Sequence, residues 1–365
     1  MPLSPRPPRR LTATKSKRPS AGSAAKPVTQ HDLAQALGVS QNTISAALRG
    51  SERIGVELRA RVAAAAQRLG YRPHHVAAAM ASGRLSSLAL VLGTDSTRSA
   101  LPSSMLDGML DRAQAHDRHL LVAKLSDAAL TSGGTMPRLL RELSADGMII
   151  NYNWRMPEKL AQLLRHHRIP AVYVNALRDS DSARPDDLEA GRQAARHLIA
   201  AGHRRIAWVD LGRSAAGLRA AHYSQGERER GFVAAAADAG IRAGVWRPPM
   251  DAPMQDFPRH AQNLLRANPQ VTGVAVNHAD SANALIAELR ALGRRLGDDL
   301  ALVLIDSTPG WAVGGGVPTL VIPNHTVGMA SVELLLEKID HPTRALASRV
   351  LPFDFDPGHD QTPRP

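Results

Sequence analysis

The sequence predicts an all-α helix-turn-helix head with a hinge helix, followed by a two-lobed α/β domain. Three observations carry this: a Thr-x-x-Asp cap followed one helix later by a Gly-Val-Ser turn, positive charge concentrated in the first 84 residues, and, from Leu85, an alternation of short apolar runs with amphipathic helices.

The head is read first. The Thr29 hydroxyl is placed to accept a first-turn backbone N–H, with Asp32 as its reciprocal partner, and Leu33, Ala34 and Leu37 make an apolar stripe at helical spacing. Gly38 suits the left-handed conformation that ends this helix, Val39 plugs the turn, and Ser40 caps a second helix whose Ile44, Ala47 and Leu48 face the first. The outward face then carries Gln41, Asn42, Ser45 and Ala46. Uncharged hydrogen-bonding side chains at a helix start are what reading base edges in a major groove requires; an ordinary helical hairpin with a polar face shares the pattern. A third helix over about 56–69 turns Val62, Ala65, Ala66 and Leu69 inward and stops at Gly70. The next segment, 74–82, places Val76, Ala77, Met80 and Ala81 on one face of a helix of barely two turns. So short a helix is marginal alone, so it is expected to order against a second subunit and the minor groove, with Met80 as the wedge.

Charge supports the same reading. Residues 1–84 hold 14 Lys and Arg against three acidic residues, whereas the remaining 281 hold 31 basic and 30 acidic. A basic module on a neutral body is the footprint of a phosphate-backbone binder. An anionic membrane would attract the same charge, but the chain has no wide amphipathic face with a basic rim and no apolar run near the roughly 18 residues of a membrane span. The first 27 residues carry seven basic residues, six prolines and no acid, and are expected to be a disordered basic tail, either grazing phosphates or an inert leader. They lack the apolar core of a secretory signal. The absence of cysteine excludes disulfides, thiol catalysis and thiolate-bound metal, and agrees with a cytoplasmic setting.

In the body, strands are expected at 88–92, 120–124, 147–151, 171–175, 205–210, 245–246, 273–276, 300–305 and 319–322. Helices between them are expected at 103–116, 136–143, 158–166, 188–201, 226–239 and 281–292. Such ladders fold as two similar lobes with a ligand cleft at the carboxyl ends of the strands.

The stretches VTQHDLAQALGVSQNTISAAL, ERIGVELRARV and LGYRPHHVAAAMASG resemble the DNA-binding head and hinge helix of the lactose-repressor (LacI) family of bacterial regulators. AGRQAARHLIAAGHRRIAWVDL, GERERGF, GVAVNHADSANALIAELRALG, LVLID and PTLVIPNHTVGMASVELLLEKI are similar to its effector-binding domain, which has a periplasmic-binding-protein-like fold. The resemblance spans about residues 28–357. It implies a helix-turn-helix domain at 28–72, a hinge helix and linker at 73–85, an effector domain at 86–357 and a tail at 358–365. The first lobe is then 86–185 plus 321–341, and the second 186–319 plus 342–357, so that three chain crossings permit hinge closure.

The resemblance also implies roles. Residues matching Gln41, Asn42 and Ala46 contact bases, and that matching Met80 intercalates at the operator centre; Thr29, Ser40, Thr43, Ser45, Arg49 and Ala77 complete the expected DNA-contacting set. Ala46 stands where arginine or histidine is frequent, and Arg49 where asparagine is common, which weakens one base contact and adds a phosphate contact. Arg228 matches the arginine that clamps effector hydroxyls or carboxylates, a role its planar fork suits; the alternative is a surface arginine paired with Glu227 or Glu229. Asp306 ends a strand facing the cleft, or caps a helix or loop. Asp280 and Asn324 are second-rank candidates, Asp280 having a helix N-cap as its alternative. Ala279 stands where sugar-binding members have asparagine, Asn324 replaces a frequent aromatic, and of 12 aromatics only Tyr152, Trp154, Trp246 and Trp311 are available for stacking, so a sugar effector is weakened.

The expected protein is a homodimeric, effector-controlled regulator, a repressor, on a palindromic double-stranded operator, without catalytic residues, cofactor or metal. Two readings share parts of the pattern: an architectural DNA-binding protein, which leaves the neutral body unexplained, and an α/β enzyme. Among 15 histidines there is no His-Glu-x-x-His, nor is there a Gly-x-Ser-x-Gly elbow or a P-loop, and the pairs His74-His75 and His166-His167 point apart on a helix.

Overall fold

The computed structural model describes residues 28–72, 84–94, 99–126, 138–142, 144–152, 156–215, 217, 221–309, 313 and 316–358. The basic leader 1–27, the hinge helix with Ala77 and Met80, and Trp154 and Trp311 lie outside the described residues. The chain divides into two compact units, residues 1–82 and 83–365.

In the first unit, α1 (Gln30–Leu37) opens on a reciprocal cap: the Asp32 amide donates to Thr29 Oγ1 at 3.3 Å and the Thr29 amide to Asp32 Oδ2 at 2.8 Å. Gly38, at φ 67°, ends it. Ser40 Oγ accepts the Thr43 amide at 3.1 Å and starts α2 (Gln41–Leu48). α3 (Val56–Leu69) completes a three-helix core of Leu33, Ala34, Ile44, Ala47, Val62 and Ala65. Leu69, expected inward, is exposed; Leu58 and Tyr71 pack there instead, because Gly70 in the left-handed region turns the chain back. Arg59 donates to the Gly50 carbonyl at 3.1 Å and ties α3 to the loop that follows α2.

The second unit contains two six-stranded sheets. The first has β1 (Ser87–Gly93), β2 (His119–Leu125), β3 (Gly147–Asn151), β4 (Ala171–Val174), β5 (Ser182–Pro185) and β11 (Arg349–Leu351), in the order β11-β5-β4-β3-β1-β2, all parallel. The second has β6 (Ile206–Val209), β7 (Gly244–Trp246), β8 (Gly273–Asn277), β9 (Ala301–Asp306), β10 (Thr319–Val321) and β12 (Asp354–Asp356), in the order β12-β10-β9-β8-β6-β7, with only β12 antiparallel.

The central strands of both sheets are covered on both faces, which is why they are continuous apolar runs. Leu88 and Leu90 point to the helices α4 (Ser103–Ala115) and α11 (Asn324–Asp340), while Ala89 and Val91 point to α5 (Arg138–Arg141) and α6 (Glu158–His166). In the second lobe Trp208, Ala275 and Val303 face α7 (Asp187–Ala200) and α8 (Tyr223–Asp238), while Val209, Val274 and Leu302 face α9 (Phe257–Ala267) and α10 (Ala279–Ala291).

The chain crosses between lobes after β5, after β10 and after β11. The last crossing corrects the expected division: residues 342–351 stay with the first lobe, and only β12 belongs to the second. The cause is a set of polar ties. The buried Lys338 ammonium donates to the Arg344 carbonyl at 2.6 Å and pairs with Asp181 at 3.0 Å, Asp181 accepts the Leu346 amide at 3.0 Å, and β11 then adds in parallel to β5.

Candidate nucleic-acid interface and effector cleft

On the head, Gln41, Asn42 and Arg49 are exposed, and Thr43, Ser45 and Ala46 are half-buried on the same side of α2, with Ile44 and Ala47 turned to the core. The Gln41–Asn42 pair at the start of α2 is therefore turned away from the core. Thr29 and Ser40 are different: both hydroxyls are engaged in helix caps, so their first contribution is to hold α1 and α2 in place. Arg49 donates to Ser45 Oγ, one turn back on α2, which ties together two of the residues expected at DNA.

In the body, strand ends and helix starts from both lobes meet around a polar cluster. Arg228 lies in the second turn of α8, which begins at Tyr223 rather than at the expected 226. It is not a surface arginine: its side chain is 4% exposed, its Nε donates to Asp187 Oδ1 at 2.8 Å, and its Nη1 donates to Asn277 Oδ1 at 2.7 Å. The neighbours that were its alternative partners look elsewhere, Glu227 to Arg230 and Glu229 to Arg247. The guanidinium also stands 5.5 Å from the Phe353 ring centre. Asp187 Oδ2 is buried and takes no bond from Arg228; the Tyr223 hydroxyl stands beside this carboxylate, which helps to keep the hydroxyl protonated.

Asp306 ends β9, half-buried, with both oxygens engaged: Oδ2 accepts the Ala279 amide at 2.7 Å, and Oδ1 accepts the Ser307 amide at 2.6 Å and the Thr308 amide at 3.2 Å. It fastens the start of α10 and the turn after β9. Asp280 is exposed in the first turn of α10, and the N-cap position belongs to His278, so the N-cap alternative for Asp280 does not hold. Asn324 is buried at the start of α11, where its amide donates to Ser307 Oγ at 3.0 Å, a bond between the helix of one lobe and the strand end of the other.

Several residues at this junction were not singled out from the sequence: Asp187, Asn277, Asn175, His222, Tyr223 and His278. His278 follows β8 at φ 73°, ψ 140°, a region that side chains rarely adopt. The residue is exposed, but its ring is packed among protein groups, and that desolvation, with the Arg228 guanidinium, holds its pKa well below the usual histidine value against the pull of Asp306 and Asp280. Tyr152 and Trp246, which had been weighed for ligand stacking, are core residues, 3% and 6% exposed, and the Tyr152 ring lies over Gly93.

The strained backbone gives a direct check. His278→Gly is expected to raise the melting temperature, because relief of about 1–3 kcal/mol of strain outweighs the roughly 0.5–1 kcal/mol of added chain entropy. A lower melting point would mean that the His278 side chain itself stabilises the fold.

Among the described residues, no group of three or more His, Asp or Glu is placed to hold a metal ion, and no helix is long and apolar enough to cross a membrane.

A helix-turn-helix unit with an exposed Gln41–Asn42 pair, on a chain whose body is two α/β lobes around a polar junction, defines a DNA-binding transcription regulator with a periplasmic-binding-protein-like domain. The chain belongs to the LacI family. Residues 29–74 match the model of bacterial regulatory proteins of the lacI family, and residues 100–352 match that of periplasmic binding proteins and the sugar-binding domain of the LacI family. The maltose regulon regulatory protein MalI of Escherichia coli is 25% identical over 342 residues, covering 90% of this chain and 97% of the relative. The lactose operon repressor of the same organism is 27% identical over 293 residues, 78% and 76% of the two chains. Among solved structures, the lac repressor dimer bound to operator and the anti-inducer ONPF shares the fold at a TM-score of 0.70 and 20% identity, covering 91% of this chain and 98% of that one. The CelR–cellobiose complex gives 0.57 at 23% identity, covering 91% and 100%.

Proposed function

We propose that this regulator is a repressor that binds a palindromic operator as a homodimer and changes its DNA affinity when a small-molecule effector occupies the junction between the lobes. It acts by binding, without a catalytic step, in the cytoplasm. The observation that carries this reading is the exposed Gln41–Asn42 pair at the start of α2, in a head that bears nearly all of the chain's net charge. Amide side chains there read adenine edges, Arg49 meets a phosphate, and Met80 with Ala77 enters the minor groove from the hinge helix.

One feature supports the homodimer. Among the described residues β2 is an unpaired edge of the first sheet, and its Leu121 and Val122 are 40% and 54% exposed, with Leu110 of α4 at 44%. An apolar edge of this kind is covered by a partner in a well-behaved protein, and a second copy satisfies the twofold symmetry of a palindrome.

For the effector, Arg228, Asp187, Asp280 and His278 offer donors and acceptors to a small polar molecule, while Asp306 and Asn324 hold the loops around it. An effector controls DNA binding only through unequal affinity for the two lobe arrangements.

The test is Asn42→Ala on a selected operator. The expected loss is about 1–3 kcal/mol of binding to the matched site with little change on unrelated DNA. An equal loss on every sequence would assign Asn42 to phosphate contact and contradict base reading by α2.

A further inference from the structure

Three hydrogen bonds meet on the imidazole of His222, at the start of α8. Its Nδ1 lies 2.8 Å from Ser224 Oγ and accepts the Ser224 amide at 3.4 Å, so the ring is the N-cap of the helix that carries Arg228. Its Nε2 lies 3.0 Å from the carbonyl oxygen of Asn175, in the other lobe at the end of β4. The backbone fixes the tautomer. An amide N–H only donates and a carbonyl oxygen only accepts, so Nδ1 is the bare acceptor and Nε2 carries the proton.

The adjacent residue makes a second bridge. Tyr223 donates its hydroxyl to Asn175 Oδ1 at 3.3 Å, and the two rings lie 4.4 Å apart. Asn175 itself is held at φ 52°, in the left-handed region that asparagine tolerates better than most side chains. Both of its oxygens are thus presented from the first lobe to the start of α8.

We propose that His222 is a positioning residue: as the neutral, Nε2-protonated imidazole it latches the start of α8, and Arg228 with it, to the first lobe, and so selects one lobe arrangement. The proposal rests on the two-arrangement reading above. The charged groups facing the ring are Asp187 from α7 and Arg228 from α8; Arg184 of β5 faces Tyr223. Burial lowers the His222 pKa most; the hydrogen bond to the Asn175 carbonyl and the Asp187 carboxylate oppose this, and Arg228 adds to the depression. A proton on Nδ1 would set an N–H against the Ser224 amide and charge a ring buried between the lobes, and that burial outweighs the Asn175 bond, which by itself favours the charged ring. Protonation therefore disfavours the latched arrangement: the latch is complete above the ordinary histidine pKa and weakens as pH falls below it towards the depressed value.

The test uses the full chain without DNA or effector, so that it stands or falls independently of the regulatory reading. The chain has no cysteine, so Arg165→Cys on α6 and Asn263→Cys on α9, both exposed, put one spin label on each lobe, and diluting the labelled chain with an excess of unlabelled chain leaves only the distance within one chain. His222→Asn keeps a cap acceptor near the Nδ1 position but is too short to reach Asn175; His222→Gln keeps an N–H at the Nε2 reach and does not titrate. At about pH 7.5 the parent and His222→Gln are expected to show one narrow interlobe distance, and His222→Asn a broadened or displaced one. The parent alone is expected to move towards the His222→Asn distribution as pH falls through the His222 pKa, followed by imidazole NMR on the same protein. Identical distances in the parent and His222→Asn, or an Nδ1-protonated ring in the NMR spectrum, would overturn the proposal.

Discussion

Arg228→Ala is expected to destabilise the effector domain by about 3–5 kcal/mol, because it strands the Asp187 carboxylate in the interior with a charge and no cation. For a domain of this size that corresponds to a melting point lower by roughly 10 °C. The residues make the direction firm: the two side chains are 4% and 1% exposed and the ion pair is 2.8 Å long. Removing both charges separates fold from function. The double variant Asp187→Asn with Arg228→Gln leaves no buried charge and is expected to recover most of the lost stability, since replacing both partners costs far less than orphaning one. Effector control of DNA binding is expected to stay lost in the double variant. An Arg228→Ala protein that melts like the parent would show that the pair is open to water and would remove this account of the junction.

The second large effect is steric. α7 and α8 cross with their backbones in contact: a Cβ on Gly191 would lie 1.8 Å from the Arg228 carbonyl oxygen, and one on Gly231 2.0 Å from that of Leu188. The first lobe repeats the device, with Gly108 of α4 against the His325 carbonyl at 2.0 Å and Gly328 of α11 against that of Met105 at 2.1 Å. A main-chain carbonyl within a helix cannot rotate aside, so Gly191→Ala must push the helices apart and open the core of Trp208, Phe232 and Ala194. The roughly 1 kcal/mol that alanine adds to helix propensity opposes this but does not offset an overlap with backbone. The expected net loss is at least the upper end of the ~1–3 kcal/mol typical of overpacking. Gly226→Ala, on the same helix but with nothing within 4 Å of the added Cβ, is the control and is expected to raise the melting point slightly. If both substitutions shift it alike, close packing does not govern this crossing. Because the carbonyl that Gly191 touches is that of Arg228 itself, the crossing also sets where the guanidinium stands.

The head and the two-lobed body were legible in the sequence because each rests on short-range signals. The Thr29–Asp32 box, Gly38, Ser40 and Gly70 mark their helices locally, and the long strands of both sheets are unbroken apolar runs because both faces are covered. The short polar strands were not legible. β5, β11 and β12 read Ser-Ala-Arg-Pro, Arg-Val-Leu and Asp-Phe-Asp, too short and too polar for a periodicity, and their pairing depends on the distant Lys338–Asp181 tie and on β10. The last crossing between lobes was misplaced for that reason.

At the junction, sequence pattern singled out Arg228 and Asp306 but not what they touch. Asp187 lies 41 positions from Arg228 and Asn277 lies 49, separations that carry no local signature. His222 and Tyr223 were missed because the start of α8 was placed three residues late: the cap is an imidazole, outside the usual Ser, Thr, Asp and Asn. The strain at His278 is a backbone property that a histidine in the sequence does not announce.

The central claim is that the head reads one twofold-symmetric site. It is tested most directly by sequencing the fragments of its host's DNA that the purified full-length protein retains. The account predicts sharp enrichment of one palindromic motif with fixed half-site spacing, as two heads of a dimer require. Diffuse, salt-sensitive retention with no shared motif would contradict it and would favour an architectural DNA-binding protein.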